Sequence, residues 1–171
     1  MIMAGVVEVN GVRAEKPGQS FDPAADVSVK SNTLPYVSRG GLKLEAALDH
    51  FNIDVSGLTV IDIGASTGGF TDCLLKRGAE RVIAVDVGHG QFHWSLRQDP
   101  RVTLLEKTNA RFLTPDDIKT PTDGAVIDVS FISLRLIIPP LLNLLPRGAF
   151  IIVLIKPQFE AGRHQVGKKG V

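Results

Sequence analysis

The stretch Val60-Ile61-Asp62-Ile63-Gly64-Ala65-Ser66-Thr67-Gly68-Gly69-Phe70 turns from apolar to glycine-rich, and a helical pattern follows. A strand, a tight turn and a helix start in that order make a pocket for a nucleotide-like ligand. Glycine admits the backbone close to the ligand, and the helix start offers unpaired N–H groups and a partial positive charge. Three more apolar runs end on ionisable residues: Asp86 in Ala-Val-Asp-Val-Gly, Asp128 in Ile-Asp-Val-Ser-Phe and Lys156 in Leu-Ile-Lys-Pro-Gln-Phe. Asn109, in Thr-Asn-Ala-Arg, follows a further run. Asp86 stands 22 residues after Gly64, where a carboxylate accepts hydrogen bonds from ribose hydroxyls. Lys156 closes six apolar residues, so burial would desolvate its ammonium and favour the neutral base. A nearby carboxylate opposes that shift, and Asp128 is the candidate. Singly, each could be a satisfied surface residue; for Asp86 the alternative is a helix cap and for Lys156 a structural ion pair. With Asp62 on the first strand, five polar residues on one sheet edge point to a site.

That edge requires an α/β fold. Strands are predicted over 58–63, 81–85, 102–106, 124–129 and 149–155, with helices over 70–77, 91–97 and 134–145 between them. A further helix is predicted from residue 38, on the spacing of Leu44, Ala47, Leu48 and Phe51. Ala-Val-Ile-Asp-Val and Phe-Ile-Ile-Val-Leu-Ile are continuously apolar, as strands covered on both faces are. Alternating strands and helices predict a doubly wound, mostly parallel sheet. Residues 1–30 read instead as a small β-rich fragment, with Asn10-Gly11 as its hairpin turn. Residues 31–37 read as a linker and 38–171 as the main domain.

The glycine turn admits three chemistries. Gly64-Ala65-Ser66-Thr67-Gly68 matches the G-x-S-x-G nucleophile elbow, but it follows the first strand of the sheet and His164 is the only late histidine. The dinucleotide fingerprint nearly fits, but Ser66 replaces the glycine that admits a pyrophosphate. Asp-x-Gly-x-x-x-Gly-Gly with an acid after the second strand suits S-adenosylmethionine, which has no pyrophosphate. Ser66 is then part of a turn and not a nucleophile. No Gly-Lys-Ser/Thr follows, so the turn is not a P-loop.

Composition narrows the classes further. A net charge of +1 rules out a global field for nucleic acid, so any such binding needs a local patch. The single cysteine, Cys73, excludes an internal disulfide and falls among apolar helical positions, so a buried thiol is expected. The opening residues show no signal-peptide pattern, and prolines interrupt the longest apolar runs, which predicts a cytoplasmic protein without a membrane span. His89 and His93 share a spacing of four residues but lack a third ligand, so no metal site is expected.

Several long blocks carry a resemblance: Tyr36-Val-Ser-Arg-Gly-Gly-Leu-Lys-Leu44, Asp62-Ile-Gly-Ala-Ser-Thr-Gly-Gly-Phe-Thr-Asp72, Asp86-Val-Gly-His-Gly-Gln91, Asp128-Val-Ser-Phe-Ile-Ser-Leu134 and Ile155-Lys-Pro-Gln-Phe-Glu-Ala-Gly162. The chain resembles the TlyA-type proteins, often labelled haemolysin A, among the FtsJ-like ribose 2′-O-methyltransferases. Residues 5–30 resemble the latter part of an S4-like RNA-binding domain. The resemblance implies methyl transfer from S-adenosylmethionine to a 2′-hydroxyl of ribosomal RNA, free or in a ribosomal subunit. It assigns Asp62, Gly64, Ala65, Ser66, Thr67, Gly68, Gly69, Phe70, Asp86, Val87, Asn109 and Asp128 to the cofactor. Lys43, Asp128 and Lys156 fall on three positions of that family's Lys-Asp-Lys-Glu set, with Lys156 as base or hydroxyl holder and Asp128 orienting it. The glutamate is expected beyond residue 171, because Glu160 is too near Lys156 to fill the position. Arg39, Lys43, Arg163, Lys168 and Lys169 could form a basic rim for phosphates. The alternatives are an inactive RNA-binding remnant and a haemolysin-like protein.

Overall fold

The computed structural model describes residues 7–16, 18–29, 34–161 and 167. They form two units, residues 1–35 and 36–171.

The smaller unit is an antiparallel sheet of β1 (Val7–Val9), β2 (Val12–Arg13) and β3 (Val27–Val29), in the order β2-β1-β3. Asn10 and Gly11 both take positive φ (52° and 76°), as the tight hairpin expected there demands. The Asn10 side chain also accepts the Asp26 N–H at 2.9 Å, which ties the hairpin to β3. Only Val7, Val9 and Ala14 are buried apolar residues among those described in this unit, a small core.

The larger unit holds a parallel sheet of β4 (Thr59–Ile63), β5 (Arg81–Val85), β6 (Val102–Leu105), β7 (Gly124–Ile127) and β8 (Phe150–Val153), ordered β6-β5-β4-β7-β8. All five match the expected strands. Side chains alternate along the strands, so each strand feeds two cores. Val60, Val82, Ala84 and Val126 face α1 (Gly40–Phe51) and α2 (Gly69–Lys76), meeting Leu44, Leu48, Phe70 and Leu74. Ile61, Ile83 and Ile127 face the other way, onto Leu134, Ile137 and Leu141 of α5 (Leu134–Leu142). The chain winds outward from β4 in both directions, so the order reverses between β4 and β7. That reversal opens a crevice at the carboxyl ends of these two strands.

Four differences from the expected elements have local causes. The larger unit starts at Tyr36, not at residue 38. The Tyr36 ring is buried against Gly41, its hydroxyl donates to Glu45 at 2.7 Å, and the Val37 N–H donates to Asp72 at 2.8 Å. The helix expected over 91–97 shrinks to α3 (Trp94–Arg97), because His93 caps it by accepting the Ser95 N–H. The helix expected to reach 145 stops at Leu142, after Pro139 and Pro140 have removed two backbone donors. Two four-residue helices, α4 (Pro115–Ile118) and α6 (Pro157–Glu160), and a 3₁₀ turn at Ala110–Phe112 are too short for periodicity to show. Thr114-Pro115-Asp116-Asp117 does carry a cap signature. The Asp117 carboxylate accepts from both the N–H and the hydroxyl of Thr114.

Cys73 is fully buried in α2, and burial pushes its thiol up to about 11. The thiol is therefore inert, as its apolar surroundings in the sequence predicted.

Candidate active site

The turn after β4 reverses the chain under tight constraint. Gly64, Ser66 and Gly68 all take positive φ (82°, 50° and 95°). Gly64 has no substitute, because a Cβ there would lie 2.7 Å from the Asp128 carbonyl oxygen. The glycine thus lets β4 and β7 deliver their ends to the same point. The turn runs into α2 with Gly68 as N-cap.

Asp86, after β5, is held by this turn. Its Oδ2 accepts the Ser66 N–H at 2.7 Å, and its Oδ1 accepts the Gly88 N–H at 2.7 Å and the Gln91 amide at 3.3 Å. The loop that follows is pinned from outside. Glu106 accepts the Gly90 N–H at 2.7 Å and two Arg97 bonds at 2.7 and 3.0 Å, and the guanidinium holds this carboxyl down to about 2. The Asp86 carboxylate is thereby oriented before any ligand binds, and the residue lines a cavity.

That cavity, about 430 Å³, is lined by Gly64, Ser66, Asp86, Val87, Asn109 and Asp128 among others. A second, of about 230 Å³, adjoins it and is lined by Lys43, Gly64, Thr67, Phe70, Asp128 and Lys156 among others. Ala65 and Gly69 also line the second cavity. Gly64, Ser66, Asp128 and Ser130 line both. The larger volume is typical of a small-molecule site.

Lys43 of α1, Asp128 after β7 and Lys156 after β8 converge on the smaller cavity. Lys156 Nζ stands 2.6 Å from Asp128 Oδ1 and donates to Ser130 Oγ at 2.8 Å. Lys43 Nζ stands 3.5 Å from Asp128 Oδ2. The Lys156 and Asp128 side chains are only 19% and 18% exposed, against 51% for Lys43. Lys156 is therefore stem-buried, as its apolar run predicted. The Asp128 carboxylate, shared by two cations, is the hub of the cluster.

Two of the expected cofactor residues stand behind the cavities. Gly68 packs against Phe92 and Leu96, which leave no room for a side chain. Asp62 is fully buried. It accepts the Thr71 hydroxyl at 2.6 Å, and its Oδ1 has no hydrogen-bond partner among the described residues. Burial first, then the charges of Asp128 and Asp86, push it from 3.8 up to about 7. The folded chain keeps this proton in a range where the unfolded chain has lost it. Stability through Asp62 is therefore full below about pH 4 and falls as pH rises to about 7, on the order of 2–4 kcal/mol in all. Subtracting the stability curve of Asp62→Asn from that of wild type, by urea unfolding between pH 4 and 8, is expected to show this fall. A pH-independent difference would refute it.

The basic rim is only partly described. Arg39 is exposed just before α1, while Arg163, Lys168 and Lys169 lie outside the described residues. Among the described residues, no group of three or more His, Cys, Asp or Glu is placed to hold a metal ion. Ser130, Gln91 and Thr108 line the cavities without having been expected. They follow β7, β5 and β6, and only the side-by-side order of these strands in the sheet brings them together.

A parallel sheet with a glycine turn, an acid after its second strand and a Lys-Asp-Lys cluster at one crevice has the fold of the S-adenosylmethionine-dependent methyltransferases. The profile of the FtsJ-like methyltransferases matches residues 36–171, and the chain belongs to that family. It is 56% identical to a provisionally named rRNA methyltransferase of Bacillus subtilis, YqxC, over 99% of this chain and 61% of that protein. It is 51% identical to the 16S/23S rRNA (cytidine-2′-O)-methyltransferase TlyA of Mycobacterium tuberculosis, over 100% of this chain and 64% of that one. A solved structure of a provisionally named hemolysin of Streptococcus thermophilus superposes with a TM-score of 0.82 at 52% identity, covering 99% of this chain and 62% of that chain. The chain thus spans about three-fifths of the length of these relatives.

Proposed function

We propose that the chain transfers a methyl group from S-adenosylmethionine to a ribose 2′-hydroxyl of ribosomal RNA, on cytidine as named for the M. tuberculosis relative. The observation that carries this reading is the Lys43–Asp128–Lys156 cluster in the smaller cavity, joined to the larger one through Asp128, which lines both. When bound, S-adenosylmethionine supplies an electrophilic methyl on a good leaving group. The cavity lined by Asp86 and Asn109 fits its nucleoside in size and in its polar groups, and Gly64 keeps the turn free of a Cβ.

A ribose hydroxyl is a weak nucleophile at neutral pH. It must be aimed at the methyl and relieved of its proton. Lys156 is placed to do both. Its Nζ donates to Ser130 and lies in ion-pair contact with Asp128, which holds the nitrogen at the cavity it lines. Asp128 orients Lys156, and its negative charge favours the sulfonium side of the site. Lys43, half exposed at the rim, holds the outer Asp128 oxygen.

A nucleobase docking here meets Phe131, which is 91% exposed at φ 64° in the loop after Asp128. Exposed aromatic faces stack unpaired bases. Residues 1–30, read as part of an S4-like module, would add RNA contacts, and ribosomal RNA places the reaction in the cytoplasm. The haemolysin reading draws on no described feature, and no helix among the described residues is long and apolar enough to cross a membrane.

The deciding experiment is calorimetric titration with S-adenosylmethionine, followed by tritium transfer to ribosomal subunits. Binding with transfer is expected. Absence of binding would sink the proposal, and binding without transfer would favour an RNA-binding remnant.

A further inference from the structure

Asp128 and Lys156 come from different strands, and their 2.6 Å spacing depends on how two loops are held together. These loops are joined at successive points. Lys156 pairs with the Asp128 carboxylate and donates a hydrogen bond to Ser130. The Phe131 and Phe159 rings meet at 5.2 Å. At the far end Glu160 clasps the start of α5: its Oε2 accepts the Ser133 hydroxyl at 2.6 Å and its Oε1 accepts the Leu134 N–H at 2.8 Å. Ser133 is the N-cap of α5, so Glu160 puts a carboxylate at the positive end of a nine-residue helix. Both bonds hold that carboxyl below its ordinary range, so it stays ionised.

Lys156 and Glu160 are the two ends of one stiff piece. Lys156 caps α6, Pro157 fixes the next φ, and Glu160 is the last residue of that helix. A shift of Glu160 against Ser133 is therefore transmitted to Lys156 against Asp128. We propose that Glu160 is a positioning residue: by clasping the start of α5 it sets the register of the Lys156 segment against the Asp128 loop. The inference rests on reading Lys156 and Asp128 as the reacting pair. It also gives Glu160 work distinct from the fourth position of the family's set, for which its spacing from Lys156 is too short.

The test compares Glu160→Ala, Glu160→Gln and Ser133→Ala with wild type, using two readouts. In methyl transfer, Glu160→Ala is expected to lower kcat about tenfold or more while KM for S-adenosylmethionine stays within about twofold. Glu160→Gln is expected to recover most of the loss, because its amide oxygen still accepts from Leu134 and its NH₂ can donate to Ser133. The second readout needs no activity: trace acetic anhydride labelling followed by mass spectrometry gives the acylation rate of Lys156. That rate is expected to rise several-fold in Glu160→Ala, less in Ser133→Ala, and little in Glu160→Gln. A lowered melting temperature with kcat and Lys156 labelling unchanged would make Glu160 a mere helix cap and overturn the proposal. A parallel loss of cofactor affinity and kcat would overturn it too. If Glu160→Ala does not fold, Ser133→Ala decides, by the same criteria. If wild type transfers no methyl group, the functional reading falls, and Lys156 labelling alone decides the role of Glu160.

Discussion

Lys156→Ala is expected to lower methyl transfer by about a hundredfold to ten-thousandfold, the range spanned by a positioned general base. S-adenosylmethionine affinity should stay within about threefold of wild type, because Lys156 lines the smaller cavity and not the one that holds Asp86. Removing the amine leaves Asp128 with only the looser Lys43 contact and takes away the donor to Ser130. Lys156→Arg should not restore the rate: a planar fork cannot reproduce a compact head group that pairs with Asp128 at 2.6 Å while donating to Ser130 at 2.8 Å. Single-turnover transfer to ribosomal subunits, paired with calorimetry, separates the chemical step from binding. Near-normal transfer by Lys156→Ala would remove this residue from the chemistry.

Gly64→Ala carries the second large effect, and here binding should fail first. Two costs combine at this position. A φ of 82° costs an L-residue about 1–2 kcal/mol. The new Cβ would also stand 2.7 Å from the Asp128 carbonyl oxygen and 3.0 Å from its carbon, so β4 and β7 must part. A total destabilisation of about 2–4 kcal/mol is expected in urea unfolding, with a loss of S-adenosylmethionine affinity of about thirtyfold or more. Gly57→Ala is the matched control: Gly57 has a φ of 73°, but an added methyl group there would meet nothing within 4 Å. It should cost only about 1 kcal/mol and leave cofactor binding intact. Equal effects of the two substitutions would show that backbone strain, not the approach to Asp128, is what Gly64 relieves.

Much of this molecule was legible in one dimension because burial on both faces leaves a plain mark. Strands such as Ala125–Ile127 and Ile151–Val153 sit inside uninterrupted apolar runs, and a polar residue that closes such a run must emerge at the sheet edge. That alone named Asp86, Asp128 and Lys156. Lys43 was different. On its helix it looks like any solvated lysine, and only the resemblance to a family singled it out.

The four-residue helices α4 and α6 were not legible, because a single turn has no period. Nor was Asp62. Its position in a strand-to-turn motif marked it for the ligand, but strand alternation sends its side chain to the α2 face, under the turn and away from both cavities. Sequence by itself determined which residues leave the core and at which strand ends. Tertiary structure decided which of them meet. The order β6-β5-β4-β7-β8 sets β4 beside β7 and β7 beside β8, and only that adjacency brings Asp128 to Gly64, Lys156 to Asp128 and Glu160 to Ser133. Those contacts join residues 27 to 64 positions apart, and no local propensity encodes a distance that the sheet order alone closes.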